Sequence, residues 1–376
     1  MKIIHVIIGL NRGGAENALM RLIETSIDSS QDIRVVSLTS LGPIGKLLIR
    51  EGVIVYTLNL SSSGLNLPFV LWQLVRVFRE FEPNIVQTWM YHADLLGGLA
   101  AYLAGCKNII WGIRTLSLKN SSAATILIMH VCAFLSRYIP RRIICNAEAS
   151  RTVHCALGYD NSRMIVVPNG FDAAKFIATE QEIDTFRVKV QLSKETLLIG
   201  SIGRYHADKG QDILVMAAKR VVQHHPEVKF LLVGQGCDFN NIDLMNRLEK
   251  SGMKDHFVLL GERNDIPTCL SAMSAFCMPS RTEAFPNGLA EAMLMALPCV
   301  ATDVGDAAVL GGGTIHLVSP NDDRALAEGL LRILALSPME RSQMGQRAKE
   351  RVMSEFTAEK VNGRYRDVYK QMLERP

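Results

Sequence analysis

The run Met1-Lys2-Ile3-Ile4-His5-Val6-Ile7-Ile8 leads directly into Gly9-Leu10-Asn11-Arg12-Gly13-Gly14-Ala15-Glu16, and a second run, Leu197-Leu198-Ile199-Gly200-Ser201-Ile202, leads into Gly203-Arg204-Tyr205-His206-Ala207-Asp208-Lys209-Gly210. Each is a short apolar stretch broken by glycine before a helix-like segment. Near-continuous apolar runs of this length are what strands covered on both faces look like. The first run is too short for a signal peptide and has no small-residue cleavage site, so it reads as a buried first strand.

The same rhythm repeats outward from each run. In the first half, strands are expected at Ile3–Ile8, Ile33–Leu38, Val53–Leu58, Ile85–Thr88, Ile109–Ile113, Ile143–Asn146 and Met164–Val167, with helix-like stretches at Glu16–Thr25, Phe69–Phe81, Ala93–Ala104, Ala123–Arg137 and Ala147–Leu157. Pro168-Asn169-Gly170-Phe171-Asp172 breaks the pattern, and a polar stretch through Ser193 follows, which places a domain boundary here. The rhythm then restarts at Leu197–Ile202, Phe230–Val233, Phe257–Leu260, Ala275–Met278, Cys299–Thr302 and Ile315–Val318. Strands joined by helix-length crossovers imply parallel sheets. Two doubly wound domains are therefore expected, residues 1–170 and 171–356, with the last helical segment, about 357–376, crossing back to the first. Ligands of such sheets lie at the carboxyl ends of the strands, so domains facing each other would hold a ligand in the cleft between them.

Composition narrows the function classes. At 376 residues, 48% hydrophobic and 21% charged, the chain has the make-up of a folded globular protein and excludes disorder. Its eight cysteines include no C-x-x-C pair and mostly sit in apolar runs, which reads as buried reduced thiols in a cytoplasmic protein and argues against zinc. An uncharged stretch of 17 residues, Asn120 to Ser136, is too short and too polar to span a bilayer. Residues 1–168 carry 16 Lys and Arg against 10 Asp and Glu, a net +6, and the remainder carries −2. A basic first half suits an anionic surface or substrate, although scattered surface charge would give the same count.

Three segments carry candidate chemistry. Gly13 and Gly14, after a strand and before a helix, let backbone approach an anion, but the spacing is neither a dinucleotide fingerprint nor a P-loop. Arg204 and Lys209 stand five apart on one strand-to-helix loop, where a bidentate guanidinium and a mobile ammonium can clamp a diphosphate. A solvated basic loop would look the same. The segment Pro279-Ser280-Arg281-Thr282-Glu283-Ala284-Phe285-Pro286-Asn287-Gly288-Leu289-Ala290-Glu291 turns into a helix after Pro286, leaving Glu283 on the loop and Glu291 in the helix's first turns. Its amides suit a phosphate, and a carboxylate at that depth can accept both hydroxyls of a ribose.

Glu283 and Glu291, Gly203-Arg204 with Lys209-Gly210, Gly13-Gly14-Ala15-Glu16 and Pro168-Asn169-Gly170-Phe171-Asp172 occur in one order. That order resembles the retaining nucleotide-sugar glycosyltransferases of the GT-B fold, family 4, over essentially the whole chain. Gln87-Thr88-Trp89-Met90-Tyr91-His92-Ala93-Asp94 looks like the subgroup of bacterial surface polysaccharide assembly. The resemblance implies an α/β fold of two Rossmann-like domains facing across a cleft, an acceptor-side first domain and a donor-side second. It implies that Arg204 and Lys209 hold the donor diphosphate, that Glu291 binds the ribose and that Glu283 faces the donor sugar. Amides of Phe285, Asn287 and Gly288 cradle sugar and phosphates, Gly14 lies near the diphosphate, His92 lies near the donor sugar, and Arg263 follows the strand that holds the base. Two departures bear on the donor: Ala284 stands where the family commonly has Gly, and Gly311-Gly312-Gly313-Thr314-Ile315-His316 replaces a more usual acidic turn.

The function expected is transfer of a sugar from a nucleoside diphosphate, UDP by family frequency, to a hydroxyl on a glycan or lipid-linked acceptor. No D-x-D-like motif is apparent, so neither a metal nor another cofactor is expected, and no protein nucleophile is assigned. Nucleic acid is not an expected partner; peripheral contact with the inner face of the cell membrane is, with Lys119, Arg137, Arg141 and Arg142 flanking apolar Ala123–Leu135. A nucleotide-sugar 2-epimerase of the same fold is the alternative. A dinucleotide-dependent enzyme is disfavoured by the missing G-x-G-x-x-G, and an inactive scaffold by the intact Arg204, Lys209, Glu283 and Glu291.

Overall fold

The computed structural model describes residues 1–11, 13–26, 31–61, 63–116 and 122–374; Arg12 of the first glycine loop, Lys119, and Asn120 and Ser121 at the start of the uncharged stretch lie outside the described residues. The chain forms two compact units, Met1–Gly170 with Ala358–Pro376, and Phe171–Thr357.

In the first unit the strands are β1 (Lys2–Ile7), β2 (Asp32–Ser37), β3 (Ile54–Thr57), β4 (Ile85–Trp89), β5 (Ile109–Ile113), β6 (Arg142–Cys145) and β7 (Met164–Val166). They form one parallel sheet in the order β3-β2-β1-β4-β5-β6-β7. Side chains alternate across it as the pleat requires. Ile4, Val6, Val86 and Trp111 enter one core, whereas Ile3, Ile7, Ile85, Trp89 and Ile110 enter the other. The second core is completed by the last helix, Ala358–Glu374, through Val361, Tyr365, Tyr369 and Met372, one stripe at helical spacing. Asn362 on that helix donates to Thr25 O and Thr25 Oγ1 at 2.9 Å, taking up a carbonyl left open at the end of helix Gly14–Glu24.

The second unit contains β8 (Leu198–Ile202), β9 (Lys229–Val233), β10 (Phe257–Leu259), β11 (Ala275–Met278), β12 (Cys299–Thr302) and β13 (His316–Val318), all parallel, in the order β10-β9-β8-β11-β12-β13. Both sheets reverse strand order in the middle, between β1 and β4 and between β8 and β11. At such a point consecutive crossovers leave on opposite faces and open a crevice at the carboxyl edge.

Two expectations need correction. The polar stretch read as part of the boundary contains the helix Glu180–Lys189, started by a capping box between Thr179 and Glu182 and tied down by Arg187, which donates to Ser193 O and Ala272 O. Only Phe186 of that helix is buried, so it leaves almost no apolar period. Helix Gly42–Arg50 lay inside a stretch read only as a connection. Among the described residues no helix is long and apolar enough to cross a membrane, and the cysteines are free.

Asn362→Ala removes the donor from a buried acceptor set and is expected to lower unfolding free energy by about 1–3 kcal/mol, measured by urea denaturation. An unchanged midpoint would contradict the assignment of the last helix as a structural part of the first unit.

Candidate active site

In the second unit the two loops flanking the β8/β11 crevice carry most of the candidate residues. The β8 loop ends at Gly210, with φ of 65°, where a Cβ would stand 2.0 Å from Pro279 O, so the β8 and β11 loops meet backbone to backbone. That contact brings Lys209 and Glu283 together: Lys209 Nζ donates to Glu283 Oε1 at 2.6 Å. Ser280 Oγ donates to the same oxygen at 2.7 Å, and Thr302 Oγ1 holds Ser280 O at 2.6 Å. The loop is braced from β12 by Gly305, φ 57°, where a Cβ would stand 1.9 Å from Glu283 O.

Arg281 fixes the other side of the Lys209 loop. It pairs with both oxygens of Asp212 at 2.8 and 2.6 Å, donates to Ala207 O at 2.6 Å, and its backbone N–H donates to Asp208 O at 2.7 Å. Burial alone would raise the Asp212 carboxyl, but the hydrogen bonds and charge of Arg281 outweigh it and hold the group below its ordinary value. Lys209 therefore sits on a loop clamped at Ala207–Asp208 on one side and at Gly210 on the other.

Arg204 lies on the same loop, exposed, with no side-chain partner among the described residues; its carbonyl accepts from Gln211 Nε2 at 2.9 Å. Helix Asn287–Leu294 begins beside the end of β8, with Gly288 against Ile202 O, so the amides of Asn287 and Gly288 open its N-terminus at the crevice. Glu291 lies in the second turn, partly buried. The Phe285 ring is buried between Phe171 and Phe356, with centroids 6.3 and 5.6 Å away, so its side chain is committed to packing and only its backbone remains for a ligand. Arg263 follows β10, the edge strand; it is ion-paired with Asp265, Nε to Oδ1 2.7 Å, and makes no contact with Lys209 or Glu283 among the described residues.

In the first unit, Gly14 and His92 follow β1 and β4, the strands on either side of the sheet reversal. Gly14 is exposed and opens helix Gly14–Glu24, with free space where a Cβ would stand. Next to it the Glu16 side chain folds back over Gly13; burial raises its carboxyl and its own amide opposes that. His92 is half-buried at the start of helix Tyr91–Leu103, and burial lowers its pKa, favouring the neutral imidazole. Met90, just before it, has φ of 72°, a left-handed conformation costly for a side chain. The buried Asp94 holds this turn: its Oδ1 accepts from Thr88 Oγ1 at 2.5 Å and from Gly112 N at 3.1 Å, while Gly112 O accepts from Met90 N at 2.8 Å. Burial pushes Asp94 up to about 7, against the pull of those two donors. Arg114, at the end of β5, lies 4.5 Å over the Trp89 ring and donates to Asn169 Oδ1 and Tyr365 OH.

Ser280, Arg281 with Asp212, Asp94 and Arg114 were not singled out by sequence reading. Only Ser280 left a local signal, three residues before Glu283 on the same turn. Among the described residues no group of three or more His, Cys, Asp or Glu is placed to hold a metal ion.

Two parallel Rossmann-like units, each with polar loops at its sheet reversal, are the make-up of the GT-B fold. Family models agree: "Glycosyltransferase Family 4" matches residues 12–175 and "Glycosyl transferases group 1" matches residues 196–335, together about four-fifths of the chain. The chain belongs to glycosyltransferase family 4. It is 24% identical over 309 residues, 81% of this chain and 79% of the other, to the Escherichia coli UDP-Gal:alpha-D-GlcNAc-diphosphoundecaprenol alpha-1,3-galactosyltransferase. It is also 24% identical, over 81% of this chain and 80% of the other, to the Staphylococcus aureus capsular polysaccharide biosynthesis glycosyltransferase CapM. Among solved structures, Anabaena Alr3699/HepE in complex with UDP superposes with a TM-score of 0.86 at 22% identity, covering 99% of this chain and 100% of that one.

Because folding raises the Asp94 carboxyl, the folded chain keeps a proton that the unfolded chain releases between about pH 4 and pH 7. Its contribution to stability is therefore largest below that window and falls as pH rises through it. Asp94→Asn removes the effect, so variant minus wild-type unfolding free energy should rise across the window, by at most about 1.4 kcal/mol per pH unit. Parallel pH–stability curves from chemical denaturation would show that Asp94 is not a buried, proton-holding carboxyl.

Proposed function

We propose that this glycosyltransferase moves a sugar with retention of configuration from a UDP-sugar to a hydroxyl of a lipid-linked glycan in surface polysaccharide assembly. The observation that carries the reading is the Lys209–Glu283 pair at the β8/β11 reversal, beside the N-terminus of helix Asn287–Leu294. A nucleoside diphosphate leaving with its negative charge needs fixed positive potential at that place. Arg204 supplies a guanidinium with no competing partner among the described residues, Lys209 keeps two further N–H donors after pairing with Glu283, and the helix adds the amides of Asn287 and Gly288.

Glu291 takes the ribose and Glu283 the transferred sugar, with Ser280 and Lys209 fixing the Glu283 carboxylate so that it accepts sugar hydroxyls in one orientation. Arg263, at the edge strand, is assigned to the base. In the first unit His92 and Gly14 occupy the corresponding carboxyl-edge positions of their own sheet; the neutral form favoured for His92 can accept as well as donate to a sugar hydroxyl. The choice of UDP is supported by the Escherichia coli relative, whose name specifies UDP-galactose and a diphosphoundecaprenol-linked acceptor, and by the Anabaena protein, crystallised with UDP and with UDP-glucose. Work on such acceptors brings the chain to the cytoplasmic face of the membrane.

Arg204→Ala and Lys209→Ala are each expected to weaken UDP binding by about 1.5–3 kcal/mol while leaving uridine binding almost unchanged. Calorimetry showing equal UDP affinity in wild type and both variants would overturn the diphosphate assignment. Glu291→Gln should mainly raise the donor KM, about tenfold for a loss of about 1.4 kcal/mol, because ribose contacts exist in ground and transition states alike. Glu283→Gln should mainly lower kcat. Reversal of these two effects would exchange the roles, and conversion of the donor sugar to an isomer without acceptor would replace transfer by epimerisation.

A further inference from the structure

Helix Ala123–Leu135 carries no charged residue and buries only Met129, Cys132 and Ala133 against the first unit. Its opposite face is open: Leu127, Val131 and Phe134 are 65%, 37% and 61% exposed, and Tyr138 just beyond it is 62% exposed. The spacing of four and three places Leu127, Val131 and Phe134 in one stripe along about 10 Å of helix, and Tyr138 stands in the turn just past its end. Exposed apolar side chains gathered in one stripe, rather than scattered singly, mark an interaction surface.

The stripe runs into charge. The Phe134 and Tyr138 rings touch, with centroids 5.6 Å apart, and Tyr138 lines an open cavity of about 430 Å³ whose other walls include Lys107, Arg141, Arg142 and Arg163. Arg142 donates to the Arg141 carbonyl, and Arg163 to Pro140 O as well as Asp160, so much of their donor capacity is spent on fixing their positions. Lys107 is exposed. These cations precede or begin β5, β6 and β7, so the cavity lies at the amino edge of the sheet, away from Met90, His92 and Arg114 at the carboxyl edge. It is therefore not part of the candidate active site.

We infer that the stripe Leu127–Phe134 with Tyr138 and the Lys107–Arg141–Arg142–Arg163 cavity form one docking surface for an anionic phospholipid bilayer, the apolar side chains entering the acyl boundary and the cavity taking a lipid phosphate. An uncharged apolar face ending in clustered Lys and Arg has the two components that interfacial binding requires, apolar area and attraction to anionic headgroups. The positive cavity at the end of the stripe favours a bilayer over a second copy of this chain, which would bring like charges together across a two-fold contact. The inference extends the reading that the acceptor is lipid-linked, but its test does not use transfer, so the two fail separately.

The experiment is co-flotation of the full chain with vesicles of phosphatidylcholine alone or mixed with phosphatidylglycerol, at low and physiological salt. Binding is expected on the mixed vesicles, weaker at the higher salt and absent on phosphatidylcholine alone. Phe134→Ser and Leu127→Ser should each reduce it at least about fivefold at either salt. Lys107→Gln with Arg142→Gln should reduce it about 25-fold at low salt, about fivefold per charge. Thermal melts matching wild type confirm that these surface variants fold. The inference is overturned by absence of co-flotation at low salt, by binding indifferent to all four substitutions, or by release of the protein with millimolar inorganic phosphate, which would make the cavity a free-anion site. It is equally overturned by a dimer in sedimentation that Phe134→Ser dissolves while vesicles leave wild type unbound.

Discussion

The contact between Gly210 and Pro279 O is the constraint on which the second unit's chemistry depends. Here two loops leaving neighbouring parallel strands come within van der Waals distance of each other, and a side chain at 210 would hold them apart. From that approach follow the Lys209–Glu283 ion pair, the bond of Ser280 to the same carboxylate, and the bracing of Arg281 across to Asp212 and Ala207. Gly305 does the same service from β12 by admitting the Glu283 carbonyl. The glycines and the ion pairs are thus one device: small residues set the distance, and charges then lock the orientation.

The electrostatic logic is asymmetric. Lys209 is neutralised by Glu283 and Arg281 by Asp212, whereas the Arg204 guanidinium has no side-chain partner among the described residues. A site built in this way holds its structural charges in pairs and leaves a donor-rich opening for an anion. In the first unit, strain takes the place of charge. Met90 is held left-handed, and the cost is met by Asp94, whose hydrogen bonds join the turn to β4 and β5.

Most of the fold was legible because parallel strands are buried on both faces and so appear as unbroken apolar runs. The expected limits of β5, β11 and β12 coincide with the observed ones. Helix Glu180–Lys189 was illegible because a single buried residue, Phe186, leaves no period to detect. Helix Ala123–Leu135 was visible as a segment but not in its placement: both its faces are apolar, and only the burial of Met129, Cys132 and Ala133 separates the packed face from the open one. Lys209 and Glu283 were found through an ordered set of motifs, yet their pairing was not. Arg281 and Asp212, 69 positions apart, and Asp94 with Gly112, 18 apart, are contacts that only the sheet order creates. Nothing local in the chain marks them.

The central claim is that the loops at the β8/β11 reversal, together with the start of helix Asn287–Leu294, hold the diphosphate of the donor. Hydrogen–deuterium exchange of the full chain with and without saturating UDP tests it directly. The account predicts slowed exchange at the amides of residues 203–210 and of Phe285, Asn287 and Gly288, with a smaller effect when uridine replaces UDP. Unchanged exchange in both segments while UDP binds, or equal protection by uridine, would contradict it.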